Sequence, residues 1–556
     1  MGWLDAIRLP RGGAPVGAAE DETFDVVVVG FGAAGAAAAI QAADEGSRVL
    51  VVDRFEGGGA TRLSGGVFYA GGGTGLQKAA GFDDTPELML AYLRAETQGV
   101  VPDATLRAFC ESSAESFRWL EGLGVRFGRR FFGEKTAYPP DGCGLYYSGN
   151  EKQRHSSAPP IPRGHVPEGI GQTGHVLFDA LRRAALDRGV EVRARTRAVH
   201  LLRGADGAVT GVELLALRPD VPARQLHRAL HDLGLVSRSI ARPLGQLEQV
   251  AGRGYRVRAR GGVVVAAGGF VWNPKMLEEH APAYARGMPL GTPGDDGAGI
   301  MLGAAAGGAL AEMGSCAACR FLYPPESFVT GLLVNERGER FCDESLYGAT
   351  VSRAIAGQPR GRAFLVLDSD ARDRVAGEAE AEERLRDRPF GQIVSGEMNA
   401  LVYRKLTTAV NLHLNRRRAD SLAALAEACG IDPGSLEATI RAHNARVEAG
   451  EEDPVGKPLD YVRPVRRPPF DAVRCDLANP LFPAPTFTLG GLQVAGTSAQ
   501  VARVDGAPIP GLYAAGRSAV GVCSRSYVSG LSIADCVFSG RNAGRSAAAA
   551  ARERLG

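Results

Sequence analysis

Tryptophan and methionine are scarce in this 556-residue sequence, with three and seven copies, and only 7% of it is aromatic. No apolar run approaches the ~18 residues of a membrane span. The opening "MGWLDAIRLPRGGAPVGAAEDE" holds no continuous apolar stretch of signal-peptide length. Neither charge sign dominates, with 64 Lys and Arg against 62 Asp and Glu. A nucleic-acid binder would be more basic, so that class is set aside. The nine cysteines are scattered and odd in number, which fits reduced thiols in a cytoplasm better than a disulfide framework. Cys316 and Cys319 are the only close pair. A metal site would want a second pair or nearby histidines, so they read as inert thiols.

Glycine, by contrast, is abundant, with 74 copies, much of it in clusters such as "GGGAT" and "AGGGTG". Clustered glycine marks tight turns or backbone that approaches something closely. At roughly 100–200 residues per domain, the length predicts two or three domains. The strongest signal is "FDVVVVGFGAAGAAAAIQAADEGSRVLVVDR". Val26–Val29 reads as a buried strand, Gly30, Gly32 and Gly35 as G-x-G-x-x-G, the alanine run as a helix to Glu45, and Arg48–Val52 as a second strand ending in Asp53. This βαβ context lets backbone reach a pyrophosphate at the helix N-terminus, and Asp53 can bind a ribose hydroxyl.

A second glycine-rich stretch, "RFEGGGATRLSGGVFYAGGGTG", follows Asp53 directly and would be surplus for a plain NAD site. Here the sequence resembles the fumarate reductase/succinate dehydrogenase flavoprotein superfamily, in which such a loop lines FAD. "VVVAAGGF", "GTPGDDGAGIMLGAAAGG" and "GLYAAGRSAVG" are similar to later segments of that family, although Arg517 stands where the family usually has Glu. The resemblance implies an α/β, Rossmann-like FAD domain built from residues 20–315 and 476–556, with an α+β substrate, or cap, domain at 316–475. It implies cofactor contacts from Gly30, Gly32, Ala34, Gly35, Asp53, Arg54, Gly59, Ala60, Thr61, Ser64, Gly65, Gly66, Ala267, Gly268, Gly516, Arg517, Leu531 and Ser532. The loop lacks the histidine of covalent-flavin members, so FAD is expected to be non-covalent. Within the cap, "LLVNERGERFCDESLYG" predicts strand, turn, strand. "SLAALAEACGIDPGSLEATIRAHNARVEAG" predicts two helices, the second starting at Asp432-Pro433.

In the superfamily's fumarate reductases an arginine shortly after an R-F-x-N-E segment handles the proton. Here "ERFCDESLYGATVSR" puts Tyr347 at about that place, as in the 3-ketosteroid dehydrogenase branch, though a tyrosine there can also simply pack. "SYVSGLSIADCVFSGRNAG" resembles the Δ4-dehydrogenases, where Tyr-x-Ser-Gly opens the last helix. That similarity implies that Tyr527, Ser529 and the Gly530 amide face a ring ketone. The proline- and glycine-rich segment of Δ1 enzymes is missing. "GLYYSGNE" implies Tyr146 or Tyr147 at the pocket, with Tyr147 the assigned substrate contact. Either Ser529 hands the α-proton to Tyr347, or Tyr347 takes it directly. His165 and His175 read as structural.

The expected substrate is a steroid or similar hydrophobic ketone, and the electron acceptor an artificial or membrane one. Competing readings are a fumarate-reductase-like enzyme, for whose anion clamp Arg525 is the one nearby candidate, and an electron-transfer or scaffold subunit. Residues 218–260 interrupt the family pattern. Leu226, Leu230, Leu233, Val236, Ile240, Leu244 and Leu247 step by three or four along a helix. Nine arginines there face Asp220, Asp232 and Glu248, and Pro243 should break the helix. The segment reads as a helical cover or as an interfacial helix on anionic lipid. The expected location is the cytoplasm, with peripheral contact at the inner face of the membrane.

Overall fold

Valine dominates the central strands because a parallel sheet is covered on both faces. In the computed structural model, which describes residues 22–153, 158–218, 221–384 and 396–554, Glu22–Val29, Val49–Val52 and Glu191–Arg193 run parallel. Gly252–Val265 joins the other edge of Glu22–Val29, and Pro508–Ala514 adds beyond it, again parallel. The sheet thus draws strands from both ends of the sequence, as the two-segment reading requires. The carboxyl ends of four neighbouring strands deliver Gly30, Asp53, Ala266 and Ala515 to one edge. Successive backbone bonds tie them: Gly30 N–H to Val52 O, Ala266 N–H to Val29 O and Ala515 N–H to Val265 O.

The alanine run is explained by packing. Helix Ala33–Asp44 is buried from Ala33 through Ala42, and the last helix, Leu531–Glu553, lies against it. A Cβ at Gly540 would stand 2.4 Å from Ala34 O, and one at Gly544 2.2 Å from Ala38 O. The two helices therefore touch backbone to backbone, which only small residues allow.

Between these segments, Leu332–Asn335, Ala363–Leu367, Phe470–Arg474 and Arg416–Ala419 form an antiparallel four-stranded sheet. Helices Leu422–Cys429 and Pro433–Ala449 pack on it, the second capped by Asp432 as expected. The predicted hairpin is corrected. After the Asn335–Gly338 turn only one bridge forms, Val334 to Arg340, and Leu332–Asn335 pairs with Ala363–Leu367 instead. A buried ion cluster bends the chain away: Glu344 accepts from Arg340 at 2.8 and 2.9 Å and from Lys457 at 2.9 Å. Burial alone would raise Glu344, but Lys457 and Arg340 override it and hold the carboxyl at about 2.

The 218–260 segment is also corrected. Its helices are Val221–Gly234, Arg238–Ala241 and Leu244–Ala251, broken at Pro243. Gly252 onward is the long strand of the central sheet, because alternating Val257, Ala259 and Val263 bury there. One face of these helices covers Arg54 and Phe55, and part of the apolar stripe is left in solvent. Leu226, Leu233, Val236 and Ile240 are exposed, whereas His227, Leu244 and Glu248 are buried.

Candidate active site

The cofactor residues converge on the carboxyl edge of the parallel strands. Gly30 has φ +100°, and a Cβ at Gly35 would stand 1.9 Å from Gly30 O, so the turn closes tightly. At Gly32 the nearest atom to a Cβ is Thr61 Oγ1, 3.5 Å away, which leaves open space before the helix start. Thr61 Oγ1 accepts from Ala33 N–H at 3.0 Å, joining the second glycine loop to that helix. Asp53 accepts from Phe31 N–H and Phe55 N–H, both at 2.8 Å. Gly59, Ala60 and Thr61 lie in helix Gly59–Leu63, and Ser64 Oγ accepts from Gly66 N–H at 3.1 Å. Tyr138 OH holds the Gly65 carbonyl at 2.9 Å. A backbone cradle at the end of parallel strands, with one acid and a helix N-terminus, suits a dinucleotide diphosphate, so these residues fit FAD.

Two expected contacts are engaged with protein. Arg54 bonds Glu248 and Asp296, each at 2.7 Å. Burial would raise Glu248, but Arg54, His227 and Arg197 override it and hold the carboxyl at about 2. Arg517, the departure from the family pattern, bonds Asp295 at 2.5 Å and lies over the Phe487 ring. Asp295 also accepts from Thr292 N–H and Gly269 N–H, so the Arg517 charge is fixed beside the Ala267-Gly268 turn. Leu531 and Ser532 open the last helix, behind Gly530.

Gly530 has φ +89°, and a Cβ there would strike Tyr69 N at 2.8 Å. Only glycine lets this segment cross the strand Phe68–Tyr69, to which Gly530 O accepts from Tyr69 N–H at 3.2 Å. The crossing aims Tyr527 at Tyr347 and sets Ser529 beside Tyr527 and Tyr146. The Tyr347 and Tyr527 rings meet edge to face at 6.1 Å, Phe321 abuts Tyr347 at 5.2 Å, and Phe487 abuts Tyr527 at 4.9 Å. Tyr347 is buried, whereas Tyr527 and Ser529 remain partly exposed. Burial pushes all three phenols of Tyr146, Tyr347 and Tyr527 upward. Ser529 moderates the rise at Tyr146 and Tyr527, and the Gly530 amide does so at Tyr527. Each tyrosine therefore stands as a neutral phenol.

A polar frame fixes Tyr347. Asn150 Oδ1 accepts its backbone N–H at 2.6 Å, and Asn150 Nδ2 donates to Glu96 at 2.9 Å and Thr350 at 3.0 Å. Ser526 Oγ donates to the other Glu96 oxygen at 2.7 Å. Three remote segments are thereby locked together. Neither Asn150 nor Glu96 was singled out in the sequence: Asn150 stands in the "GLYYSGNE" segment, where the tyrosines drew the reading, and Glu96 in a helix without a motif of its own.

Tyr147, the expected substrate contact, packs against Phe82 and Phe131, with Lys152 over its ring. Successive residues of an extended strand face opposite ways, and strand Cys143–Tyr146 turns Tyr146 toward Ser529 instead. Arg525 forms an ion pair with Glu312 and donates to Gln98 O, so it offers no anion clamp here. Cys316 and Cys319 are pushed up to about 12 by burial, as inert thiols should be. No cluster of metal ligands occurs among the described residues. His165 is buried between Thr74 Oγ1 and Arg163 O, both at 2.9 Å, and burial lowers it to about 4. His175 is exposed, with Nδ1 3.0 Å from Gln172 O.

The profile of the FAD binding domain family matches residues 25–530. The chain is 35% identical over 519 residues to the 3-oxo-5-alpha-steroid 4-dehydrogenase of Comamonas testosteroni, covering 90% of this chain and 94% of that one. It superposes with a TM-score of 0.76 and 33% identity on the 3-ketosteroid-delta4-(5alpha)-dehydrogenase of Rhodococcus jostii in complex with 4-androstene-3,17-dione, covering 97% and 99% of the two chains. It is also 26% identical to the 3-oxosteroid 1-dehydrogenase of Mycobacterium tuberculosis, over 91% of this chain and 94% of that one.

Proposed function

As this chain belongs to the FAD binding domain family, we propose that it is a flavin-dependent dehydrogenase that desaturates a 3-ketosteroid beside its ketone, with Δ4 favoured over Δ1. The observation that carries this reading is the meeting of Tyr347, from a distant part of the chain, with Tyr527, which stands beside Ser529 at the start of the last helix. FAD, when bound, supplies the acceptor for the hydride that leaves the β-carbon. The protein's part is to acidify and remove the α-hydrogen. Tyr527 O–H and the Gly530 amide are donors for a ketone oxygen, at a helix N-terminus that adds partial positive charge. As enolate character develops, these bonds strengthen. Ser529 is set to receive the α-proton and pass it onward. Tyr347, kept a phenol by burial, moves a proton only by releasing its own, which favours a relay over a standing phenolate base.

The purified protein is expected to be yellow and to release its flavin on acid precipitation. Its flavin should bleach when a 5α-3-ketosteroid is added without oxygen. Absence of bleaching with every 3-ketosteroid, alongside bleaching by a small unsaturated acid's reduced form, would transfer the chain to the fumarate-reductase-like reading.

The helical insertion supports a second part of the proposal, contact with an anionic membrane. Leu226, Leu233, Val236 and Ile240 face solvent beside the arginines of residues 224–242, the pairing of apolar and basic groups that suits a lipid interface. No helix among the described residues is long and apolar enough to cross a membrane. Replacing Leu226, Leu233 and Val236 together by Ser should lower cosedimentation with phosphatidylglycerol vesicles by about tenfold or more, by the transfer energy of three apolar side chains, and leave flavin content intact. Equal cosedimentation of variant and parent would remove the membrane contact.

A further inference from the structure

We propose that Glu151 is the carboxylate on which the substrate's α-proton comes to rest, an inference that rests on the dehydrogenase reading above. A relay of neutral hydroxyls only transmits a proton. Ser529 and Tyr347 must end at a group that can hold one, and the hydroxyl cluster itself contains no carboxylate or imidazole.

A single loop links the cluster to Glu151. Ser529 lies against Tyr146, and Ser529 N–H donates to Ser148 O at 3.0 Å. A Cβ at Gly164 would stand 2.6 Å from the Tyr146 ring and 2.8 Å from Ser148 Oγ, so these two side chains lie side by side. Gly149 N–H then donates to Glu151 Oε2 at 2.7 Å. Asn150, between them, holds the Tyr347 backbone at 2.6 Å, so the same loop touches both ends of the hydroxyl cluster. Ser148 Oγ, Glu151 Oε1 and Gln153 Oε1 are buried without a hydrogen-bond partner. Buried polar groups left in this way are the ones that ordered water bridges, and here they stand on the one loop that carries both Tyr146 and the carboxylate.

The environment gives Glu151 the right proton affinity. Burial pushes it up to about 7, Glu96 adds to the rise, and Arg163 and the Gly149 amide restrain it. The other groups that sense it are the phenols of Tyr69, Tyr92, Tyr146, Tyr147 and Tyr323, together with Lys135, which burial lowers to about 8. Asp535 is also pushed to about 7 by burial, but it is bound by Val522 N–H and faces Cys523 in the last helix. In the step itself the α-C–H breaks and its proton converts the Glu151 carboxylate to the acid. The electron pair it leaves becomes the new C=C bond as the β-hydrogen departs as hydride to FAD.

A proton acceptor must be ionised, so the limiting rate of flavin bleaching by a saturating 5α-3-ketosteroid should rise with pH through about 7 in the intact enzyme. In Glu151→Gln that limb should vanish, and the rate above pH about 8 should fall about 10- to 100-fold, toward the lower end of general-base contributions. Binding of a 4-ene-3-ketosteroid product, read from the spectrum of the oxidised flavin, should change less than about 2-fold, because the carboxylate does not touch the steroid. Glu151→Asp should restore the limb in part. A limb that survives in Glu151→Gln, as titration of Asp535 or Lys135 would leave it, overturns the proposal. A flat profile in the intact enzyme overturns it even if the variant fails to hold flavin. Failure of every 3-ketosteroid to bleach the intact enzyme would instead sink the dehydrogenase reading and the relay with it.

Discussion

Tyr347→Phe and Ser529→Ala are each expected to slow flavin reduction by a saturating 3-ketosteroid by about 10²–10⁴-fold, the usual range for lost proton-transfer catalysis, and to weaken steroid binding little. Each change removes one hydroxyl and keeps the shape. The Tyr347 ring would still meet Phe321 and Tyr527 edge on, and its backbone would still be held by Asn150. The missing group acts only while the α-proton moves, so the loss belongs to the transition state and appears in the limiting rate. Tyr527→Phe should differ. It deletes a donor to the ketone that exists in the ground state and strengthens in the enolate, so binding and rate should fall together. If Ser529 and Tyr347 form one relay, the double variant should be little slower than the slower single one. Anaerobic stopped-flow bleaching measures all four variants. Near-normal rates in both single variants would take these residues out of the chemistry.

How much of this was legible in the sequence depends on how local each signal is. The βαβ unit was legible because strand, glycine turn, helix and acid fall within one short stretch, and each has its own physical signature. Tyr527, Ser529 and Gly530 could be picked out through the family resemblance because they sit together at a helix start. Gly530 is needed there by its φ of +89° and its approach to Tyr69. Tyr347 could be matched to a family position, but its partners could not be read. Asn150 meets it across 197 residues, and Ser526 meets Glu96, which Asn150 also holds, across 430; bonds of that kind leave no periodicity. The choice between Tyr146 and Tyr147 turned on strand phase alone, and a run with two adjacent tyrosines does not fix phase. The insertion was legible only in part for a related reason. Its helical spacing of leucines was real, but spacing does not say which face is covered. The buried face is set by the polar contacts of His227 and Glu248 with Arg54 and Phe55.

Gly32→Val should empty the protein of flavin while leaving it folded, and Gly35→Ala should unfold it. Both glycines belong to one motif, but the structure gives them different tasks. Gly32 caps the first helix at φ −94° and ψ −162°, backbone that any residue adopts. A Cβ there meets no protein atom closer than Thr61 Oγ1 at 3.5 Å. A valine side chain would therefore fill the space before the helix N-terminus, where backbone amides approach the pyrophosphate. Each hydrogen bond to a charged group is worth about 1.5–3 kcal/mol. Losing two would weaken FAD by roughly 10²–10⁴-fold and leave a colourless preparation. The melting temperature of the flavin-stripped chain should hardly change. Gly35→Ala places a methyl 1.9 Å from the Gly30 carbonyl oxygen, and no rotamer relieves a clash between Cβ and backbone. Helix and turn must part, at a cost among the largest that single substitutions reach, about 4–5 kcal/mol. Absorbance at the flavin band and thermal melts of the stripped proteins separate the two effects. A yellow Gly32→Val protein with full flavin content would show that the pyrophosphate does not sit at this helix. A normally stable Gly35→Ala protein would show that the turn is not packed as described.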